Sequence, residues 1–396
     1  MNPPLKSIRI LDLSRSLTGP FCSMILADLG AEVIKVEIPE VGDMTRSWGP
    51  PFIGGESAYF LCVNRNKKSM TLNLKTEKGK KILYRLAEKC DVLLENFRPG
   101  VTDKLGVNYE AIHEINPRMV YCSISGFGQT GPYRDWPAYD IVVQGLGGFM
   151  GITGEFGRPP VRVGVAITDI LAGAHAAIAI LSALIARKTT GKGQWIDVSM
   201  LDGAVSWMTY MAANYFATGK VPERMGSAHP NIVPYQCFET KDGKYINIAI
   251  GNDRLWTSLC KILGLKKLVQ DPRFATNPKR VKNRNELISM LTKVFSTKIR
   301  DEWLEILGRE IPCGPVYTMD EIFSDPQVLH RGMLVEIDHP VAGKIKQIGV
   351  PMKFSETLGE IKAPPPLLGQ HTEEILKIFL KLSENEVSQL RKEKVI

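Results

Sequence analysis

Asp169 is the residue whose setting in this sequence most suggests chemistry. It follows Thr168 and begins a segment, residues 170–186, that consists mostly of Ala, Ile and Leu. At the start of a helix, a carboxylate meets free backbone N–H groups and the positive end of the helix dipole, and both favour its ionised form. Two interpretations stay open from these residues alone. Asp169 either caps the helix or is a carboxylate nucleophile beside a cleft at the carboxyl edge of a sheet.

The elements that must position Asp169 alternate between strand and helix. Residues 8–13 and 32–37 are typical of strands, and the apolar segment between them opens with Gly19-Pro20 and ends before Gly30, as helices do. Such a strand–helix–strand unit predicts a parallel sheet covered by helices. The alternation continues with a helix at 76–89, strands at 91–95, 119–125 and 194–200, a buried helix from 169 to about 190, and a helix at 201–217.

A change of character near residue 224 indicates a second domain. A proline-bearing loop at 225–234 precedes an alternating strand at 243–251 and mainly helical segments to about residue 307. Strand signals return after 325, and a final amphipathic helix follows. We therefore predict an α/β fold with a smaller α/β domain at 226–325.

Composition and missing motifs narrow the classes of function. Of 396 residues, 44% are hydrophobic and 23% charged, which is typical of a folded enzyme rather than a disordered chain. The net charge of +8 favours anionic ligands, but the basic residues are interleaved with acidic ones, unlike a nucleic-acid binder. No P-loop, GxSxG or HExxH motif is present, and Met150 breaks the GxGxxG-like run at 145–151. We expect no nucleoside triphosphate and no nucleic acid as partner.

The cysteines and the apolar segment indicate where the protein works. Seven widely spaced cysteines, without CxxC or zinc-ligand spacing, predict reduced thiols and no metal site. No targeting segment is visible, so a cytoplasmic location is expected. The uncharged residues 170–186 are at the lower limit for a membrane span, but a core helix of a large protein has the same composition, and we expect no membrane partner. The basic cluster at 279–284 is interpreted as a solvated face.

Motifs along the whole chain resemble those of the class III CoA-transferases, the CaiB/BaiF type. They are LDLSRSLTGP (11–20), DLGAEVIKVE (28–37), ENFRPG (95–100), INPRMVYCSISGFGQTGPY (115–133), VAITDILAG (165–173), TGKGQWIDVSM (190–200), DGKYINIAIGN (242–252), IPCGPV (311–316) and DPQVLHRGM (325–333). WGPPF (48–52), VNRNKKS (63–69) and PPPLLGQHT (364–372) are most similar to the succinate–hydroxymethylglutarate branch of the family.

The resemblance implies a covalent mechanism in which CoA moves from an acyl-CoA to a small carboxylic acid. Asp169 matches the family's aspartate, which attacks the acyl-CoA carbonyl and gives a mixed anhydride and then an aspartyl-CoA thioester. A covalent intermediate avoids bringing two anions, carboxylate and thiolate, together in one step. CoA is then part of the substrate, and no ATP is required.

The resemblance also implies a set of CoA-binding residues. Lys, Arg and helix N-termini suit the phosphates of CoA, and an aromatic ring suits its adenine. The matching positions are Ser16, Leu17, Leu72, Asn73, Lys75, Asn96, Phe97, Arg98, Lys104, Ala138 and Asp140. Solvent exposure of the lysines and core packing of Phe97 are the alternative interpretations. Many relatives carry Arg where this chain has Ile38, so an adenine or phosphate contact is either lost or supplied by Arg65 or Lys68 instead.

Tyr139 favours a transferase over an isomerase of the racemase branch. Racemases of the family carry Gly-His-Asp where this chain has Ala138-Tyr139-Asp140. Tyr, with an ordinary pKa of about 10, is a poor proton carrier at neutral pH. By resemblance, Tyr139 lines the reactive thioester, and Gly251 and Asn252 belong to a loop that closes over it.

Substrate and assembly follow from the resemblance as expectations. A succinyl-CoA-type dicarboxylate needs a cation for its far end, and Arg15, Arg224 and His229 are candidates, although surface salt bridges or loop hydrogen bonds would also explain them. Residues 1–225 and 326–396 would form one large Rossmann-like domain, and two ring-shaped chains would interlock as a homodimer. The alternatives left open are a racemase-type isomerase and a CoA-binding subunit of a heteromeric transferase that has no activity of its own.

Overall fold

The chain divides into two compact units. A computed structural model describes residues 2–396. The larger unit contains the described residues up to Phe149, Arg162–Ala213 and Pro326–Ile396, and the smaller contains Met150–Val161 and Asn214–Asp325. Residues 150–161 and 214–225 thus group with the smaller unit rather than with the first part of the larger one. Hydrogen bonds join residues 150–161 to residues 224–226, from Gly226 N to Gly154 O (2.8 Å) and from Arg224 Nη2 to Arg158 O (2.6 Å).

The large unit is built on a six-stranded sheet in the order β5-β2-β1-β6-β7-β8, and every pairing in it is parallel. The strands of the chain are β1 (Arg9–Asp12), β2 (Glu32–Glu37), β3 (Phe52–Ile53), β4 (Glu56–Ser57), β5 (Lys67–Thr71), β6 (Val92–Glu95), β7 (Val120–Ser125), β8 (Trp195–Ser199), β9 (Tyr235–Glu239), β10 (Tyr245–Ala249), β11 (Cys313–Pro315), β12 (Leu334–His339) and β13 (Gly343–Ile348). The predicted parallel sheet is confirmed.

Helices of the large unit cover both faces of this sheet, and further helices belong to the smaller unit. They are α1 (Thr18–Asp28), α2 (Ala58–Leu61), α3 (Glu77–Ala87), α4 (Val101–Leu105), α5 (Tyr109–Ile115), α6 (Asp140–Leu146), α7 (Phe149–Ile152), α8 (Ile167–Thr190), α9 (Met200–Ser206), α10 (Thr209–Thr218), α11 (Asp253–Ile262), α12 (Lys267–Gln270), α13 (Asn277–Lys282), α14 (Arg284–Phe295), α15 (Arg300–Leu307), α16 (Met319–Ile322), α17 (Pro326–His330), α18 (Thr372–Leu380) and α19 (Glu384–Lys392), with a 3₁₀ turn at Met44–Ser47. The single helix predicted at 201–217 is wrong, because the chain turns at Trp207 and Met208 between α9 and α10.

Successive side chains of the strands pack into two separate apolar layers, one on each face of the sheet. Leu11 and Leu93 pack with α3, α5, α18 and α19 on one face. Ile10 and Leu94 pack with α1 and α8 on the other face. Because successive residues of a strand point to opposite faces, β1 and β6 are buried on both sides and carry apolar residues at neighbouring positions, Ile10-Leu11 and Leu93-Leu94.

The strand order opens a crevice at one edge of the sheet. From β1, the chain continues to β2 on one side, while β6 pairs with the other side of β1. The loops after β1 and β6 therefore leave the sheet in different directions, and ligands of such folds bind between them. Arg15 and Ser16 follow β1, and Asn96 and Phe97 follow β6.

Helix α8 carries Asp169 and packs one face against the large unit. It is long and apolar enough to cross a membrane by length and composition, and 44% of its most apolar window is buried within the chain. Ala172, Ala176 and Ile180 lie in the core, whereas Ile178 and Ile185 on the opposite face are 61% and 66% exposed. The prediction of a helix buried on all sides is therefore wrong for that second face.

The smaller unit contains a three-stranded antiparallel sheet, β11-β10-β9, packed against α11, α14 and α15. The interpretation of residues 279–284 as a solvated face is wrong for Arg280, which is fully buried. Its guanidinium donates to Val233 O (2.7 Å) and Phe274 O (3.1 Å) and pairs with Asp253 (2.8 Å). A planar cation with five donors can satisfy such a buried ring of acceptors.

Candidate active site

A cavity of about 370 Å³ opens in the large unit at the carboxyl ends of β1 and β6. Among its lining residues are several predicted from separate parts of the sequence: Arg15, Ser16, Asn96, Phe97, Arg98, Ala138, Tyr139 and Asp169. The fold brings these side chains together at the crevice between diverging loops. Tyr139 is 63% exposed, so its phenol stands at the accessible side of this cavity.

A second cavity, of about 200 Å³, adjoins the first. Arg15 and Phe97 line both cavities. Leu72, Asn73 and Lys75 line it, as does Ile38. Its walls are mostly apolar, and its cations are Arg15 and the exposed Lys75.

The expected substitutes for an arginine at position 38 are not in this cavity. Arg65 is buried and binds the carboxylate of Asp28 at 2.7 Å. Lys68 pairs with Glu32 (3.0 Å) and Glu374 (2.8 Å). Of the two alternatives for position 38, these pairings favour a lost contact over a replacement by Arg65 or Lys68.

Asp169 is the third residue of α8 and not its cap. The N-cap is Ala166, and the side chain that binds the free N–H groups of this helix is Asp140, which accepts from Thr168 N (2.9 Å) and Thr168 Oγ1 (2.8 Å). The carboxylate of Asp169 instead accepts a hydrogen bond from the hydroxyl of Thr18. The capping interpretation of Asp169 is wrong, because Asp140 binds the N-terminus of α8 and the carboxylate of Asp169 lines the cavity.

Burial dominates the electrostatics of Asp169. It raises the pKa of the carboxyl to about 6, opposed by the hydrogen bond from Thr18 and assisted by the nearby charge of Asp140. The expectation that the helix terminus favours the ionised form is therefore outweighed. Burial and then the charge of Asp169 also raise the pKa of Tyr59 to about 12, which places that phenol near the same carboxylate.

The loop after β6 is tied to the loop after β1 through Asn96. Its side chain accepts from Arg15 N and donates to Arg15 O, both at 2.8 Å. This reciprocal pair places the guanidinium of Arg15 over the ring of Phe97, 4.9 Å from its centroid. Among residues 2–396, that guanidinium has no hydrogen-bond acceptor. A half-buried cation beside two cavities suits an anionic ligand.

A buried ion pair binds the backbone of the loop after β1. Lys35 and Asp43 are fully buried and lie 2.9 Å apart, and Lys35 Nζ also donates to Ser14 O (2.9 Å). Asp43 accepts from Ser16 N (3.2 Å), whose φ of 65° is in the region that few residues other than glycine adopt. Burial would raise the pKa of Asp43, but the Lys35 ammonium holds it below its usual range.

Other sequence-predicted residues lie away from the two cavities or in the smaller unit. Leu17 precedes α1, Lys104 is exposed on α4, and the carboxylate of Asp140 is buried against Thr168 and Gln144. Gly251, Asn252, Arg224 and His229 belong to the smaller unit. Asn252 caps α11 by accepting from Leu255 N (2.9 Å), and His229 Nδ1 accepts from Asn231 N (3.0 Å). Their predicted roles in catalysis and binding stay predictions.

Sequence reasoning missed several residues that line the larger cavity. They are Thr18, Met44, Pro99, Ile124, Ser125, Gly126, Arg134, Trp136 and Met200. Gly126 lies within the motif GFGQTGPY (126–133) and Arg134 directly follows it, so this motif could have indicated both residues. In the part of the chain from residue 2 onward, no group of three His, Cys, Asp or Glu side chains is arranged to hold a metal ion.

Comparison with known proteins decides the family. Residues 5–372 match the family model described as CoA-transferase family III. The chain belongs to this family. It is 47% identical to the succinyl-CoA:glutarate CoA-transferase of Homo sapiens, over 98% of this chain and 88% of that protein. The succinate–glutarate CoA-transferase of Agrobacterium fabrum is 42% identical, over 94% and 95% respectively.

A solved structure agrees with this membership. The crystal structure of a CaiB/BaiF family protein from Brucella suis is 44% identical, with a TM-score of 0.85 over 96% of this chain and 100% of that chain. The resemblance read from the motifs is thereby confirmed, as is the α/β fold with its large parallel sheet. The transferase acts on CoA thioesters, and its similar relatives are named for succinyl-CoA and other dicarboxylates.

Proposed function

We propose that this transferase moves CoA from an acyl-CoA to a carboxylic acid through covalent intermediates on Asp169. The observation that carries the proposal is the position of one carboxylate. Asp169 lines the cavity at the crevice of the sheet, beside Tyr139, Arg15 and Phe97. A carboxylate with a raised pKa is a better nucleophile than one in water, and an exposed path to the cavity lets a thioester reach it.

Two attacks transfer CoA to the enzyme. One oxygen of Asp169 attacks the acyl carbonyl carbon, and the C–S bond breaks. CoA leaves as a thiolate, and a mixed anhydride of Asp169 and the acyl group remains. The thiolate then attacks Cγ of Asp169, the bond from Cγ to the acylated oxygen breaks, and the first acid leaves as a carboxylate. The product of this half-reaction is an aspartyl-CoA thioester.

Two further attacks transfer CoA to the second acid. The carboxylate of the acceptor attacks Cγ of Asp169 and releases the CoA thiolate, which gives a new anhydride. The thiolate attacks the acceptor's carbonyl carbon, and the carboxylate of Asp169 leaves unchanged. The overall reaction exchanges one CoA thioester for another, so the sequence runs without an external energy source even though the anhydrides are more activated than the thioesters.

The two cavities fit the two ends of CoA. The adenine end is assigned to the smaller cavity, where Phe97, Leu72 and Ile38 offer apolar walls and Lys75 a cation. The thioester end is assigned to the larger cavity with Asp169. Arg15, which lines both, is placed where the diphosphate passes between them.

A dicarboxylic acid is the proposed substrate class. The similar relatives named above act on succinyl-CoA, succinate and glutarate. In this chain, Arg15, Arg98 and Arg134 line the cavity that contains Asp169. Guanidinium groups suit both the diphosphate of CoA and the far carboxylate of a dicarboxylic acid, although Arg134 also pairs with Asp135 at 2.9 Å.

An interlocked homodimer working in the cytoplasm completes the proposal. Both ends of the chain contribute to the large unit. In that unit, Ile178, Ile185, Val205 and Trp207 are about half exposed or more, and exposed apolar groups of this size commonly mark a protein interface. Light scattering tests the assembly, and a monomer mass at micromolar concentration would contradict it.

Trapping the intermediate tests the covalent mechanism directly. Incubation with succinyl-CoA and hydroxylamine is expected to convert Asp169 to a hydroxamate, because both the anhydride and the thioester are activated acyl groups. Peptide mass spectrometry locates the adduct, and the Asp169→Asn variant is the control. An unmodified Asp169 during rapid turnover would defeat the mechanism. Loss of the substrate's α-proton in deuterated water without an acceptor would instead indicate a racemase-type isomerase, and no exchange at all a heteromeric subunit.

The rate is expected to fall in acid as Asp169 becomes protonated. Its pKa is raised to about 6, so the attacking carboxylate is present above that pH and is lost as the pH falls through it. At one unit below, kcat/KM should be about tenfold lower than at pH 8. Initial rates measured between pH 4.5 and 8 check this, and a constant rate down to pH 4.5 would contradict it.

A further inference from the structure

The hydroxyl of Thr18 binds the proposed nucleophile directly. Thr18 is the first residue of α1, is only 4% exposed and lines the cavity that contains Asp169. Its Oγ1 donates a hydrogen bond to Oδ1 of Asp169. Among residues 2–396, no side chain donates to the second oxygen, Oδ2. One oxygen is thus held by a neutral donor, and the other is left to react.

The fold keeps this pair in place through a close contact of two helices. Asp169 lies in the first turn of α8, and Gly173 lies one turn later. A Cβ atom at Gly173 would stand 2.6 Å from Thr18 O and 3.4 Å from Cys22 N, so α1 can approach α8 only because this residue is glycine. The first turns of both helices therefore face each other at the cavity.

A hydroxyl at this position matches the charge that develops during the reaction. When the CoA thiolate attacks Cγ of Asp169, the electron pair of the carbonyl moves to the oxygen that is not acylated. Donors aimed at such an oxyanion stabilise the transition state more than the ground state. A backbone or lysine donor is absent from Oδ1 in the described residues, so the Thr18 hydroxyl is the donor in place.

We propose that Thr18 serves as the oxyanion donor for the aspartyl carbonyl, in addition to aiming the free carboxylate. The inference rests on the covalent mechanism proposed above and names a residue for two of its steps. Oδ2 of Asp169 attacks the acyl carbon and becomes the bridging oxygen of the anhydride. Oδ1 then becomes the oxyanion when the thiolate adds to Cγ, and the Cγ–Oδ2 bond breaks as the carbonyl re-forms. The same oxygen receives charge again when the acceptor carboxylate attacks the thioester.

A purely structural role makes different predictions for three variants. Thr18→Val keeps the shape and removes the donor, Thr18→Ala also removes volume, and Thr18→Ser keeps the donor. If Thr18 only packs α1 against α8, Val should resemble the native enzyme and Ser should be the poorer variant. If the hydroxyl acts on Asp169, the order is reversed.

Rapid-quench mass spectrometry with succinyl-CoA measures the decisive step, the appearance of aspartyl-CoA. In Thr18→Val this rate and kcat are expected to fall about 100-fold with the Kd for CoA unchanged, whereas Thr18→Ser stays within about threefold. The acid limb of the pH profile should move to higher pH in Val but not in Ser, since the hydrogen bond lowers the pKa of Asp169. Thr189→Val, exposed at the far end of α8, is the matched control and should change nothing.

The outcomes separate this proposal from the mechanism on which it rests. A Thr18→Val enzyme that forms aspartyl-CoA at the native rate would overturn the role of Thr18 and leave the covalent mechanism standing. A native enzyme that turns over without any adduct at Asp169 would overturn both. If the Val variant does not fold, the comparison of Thr18→Ala with Thr18→Ser decides in the same way.

Discussion

Replacing Asp169 with Asn is expected to reduce CoA exchange by about 10⁴-fold or more while leaving CoA affinity largely unchanged. Asn has nearly the same shape, so the cavity of about 370 Å³ and its hydrogen bond with Thr18 can persist. An amide cannot form the anhydride, however, and the reaction loses its covalent route. Arg15 and Phe97, to which CoA binding is assigned, remain untouched. Isothermal titration with CoA and chromatographic assay of acyl-CoA exchange measure the two effects separately.

Two further variants control this experiment. Glu110→Gln removes another carboxylate from the first turn of a helix, on α5, where it is exposed and away from both cavities. It should retain full activity. Asp169→Ala guards against slow deamidation of Asn back to Asp. An Ala variant that exchanges CoA at more than about a hundredth of the native rate would remove Asp169 from the chemistry.

Asp43→Ala is expected to lower the free energy of unfolding by about 3–5 kcal/mol, the largest effect on stability that we predict. Asp43 is 2% exposed and its partner Lys35 is 0% exposed. Removing the carboxylate leaves a buried ammonium without its closest counter-charge, and the backbone N–H of Ser16 loses its acceptor. Since Ser16 borders the site, kcat/KM should fall as well, even below the unfolding transition.

Urea denaturation at pH 7 measures this loss. A matched control is Glu40→Ala, which removes one partner of the pair that Glu40 forms with Lys394 at 3.8 Å, where both side chains are about 80% exposed. That change should cost less than about 0.5 kcal/mol. A loss of under 1 kcal/mol for Asp43→Ala would mean that Asp12 and Glu37, which also act on Lys35, compensate for the missing charge.

The strands and the location of the site could be predicted because they depend on local patterns. Residues 32–37 form a strand in the structure as predicted, because Val33, Ile34 and Val36 are β-branched and buried, although the same strand also buries the charged Lys35 and Glu37. Asp169 stands out because it directly precedes a long uncharged run of Ala, Ile and Leu. The loops to which CoA binding is assigned follow β1 and β6, whose positions set the crevice.

The parts that could not be predicted depend on contacts between distant segments. Thr18 and Asp169 are separated by 151 positions and meet only because α1 and α8 touch. Arg280 has the sequence neighbours of a surface residue, and its burial follows from carbonyl groups at Val233 and Phe274. Asp140 lies in a motif that resembles a ligand site, yet its carboxylate accepts a hydrogen bond from Thr168 N at the N-terminus of α8. No local sequence pattern predicts these contacts between distant residues.

The glycine contact between α1 and α8 limits how this enzyme can be re-engineered. With no space for even a methyl group at Gly173, a library that diversifies this position would be expected to yield mostly inactive clones. Residue 18 lies on the other side of the same contact, where its side chain lines the cavity and binds Asp169. Adjusting the reactivity of Asp169, the proposed nucleophile, for poorer donors or more acidic working conditions is therefore best attempted at residue 18.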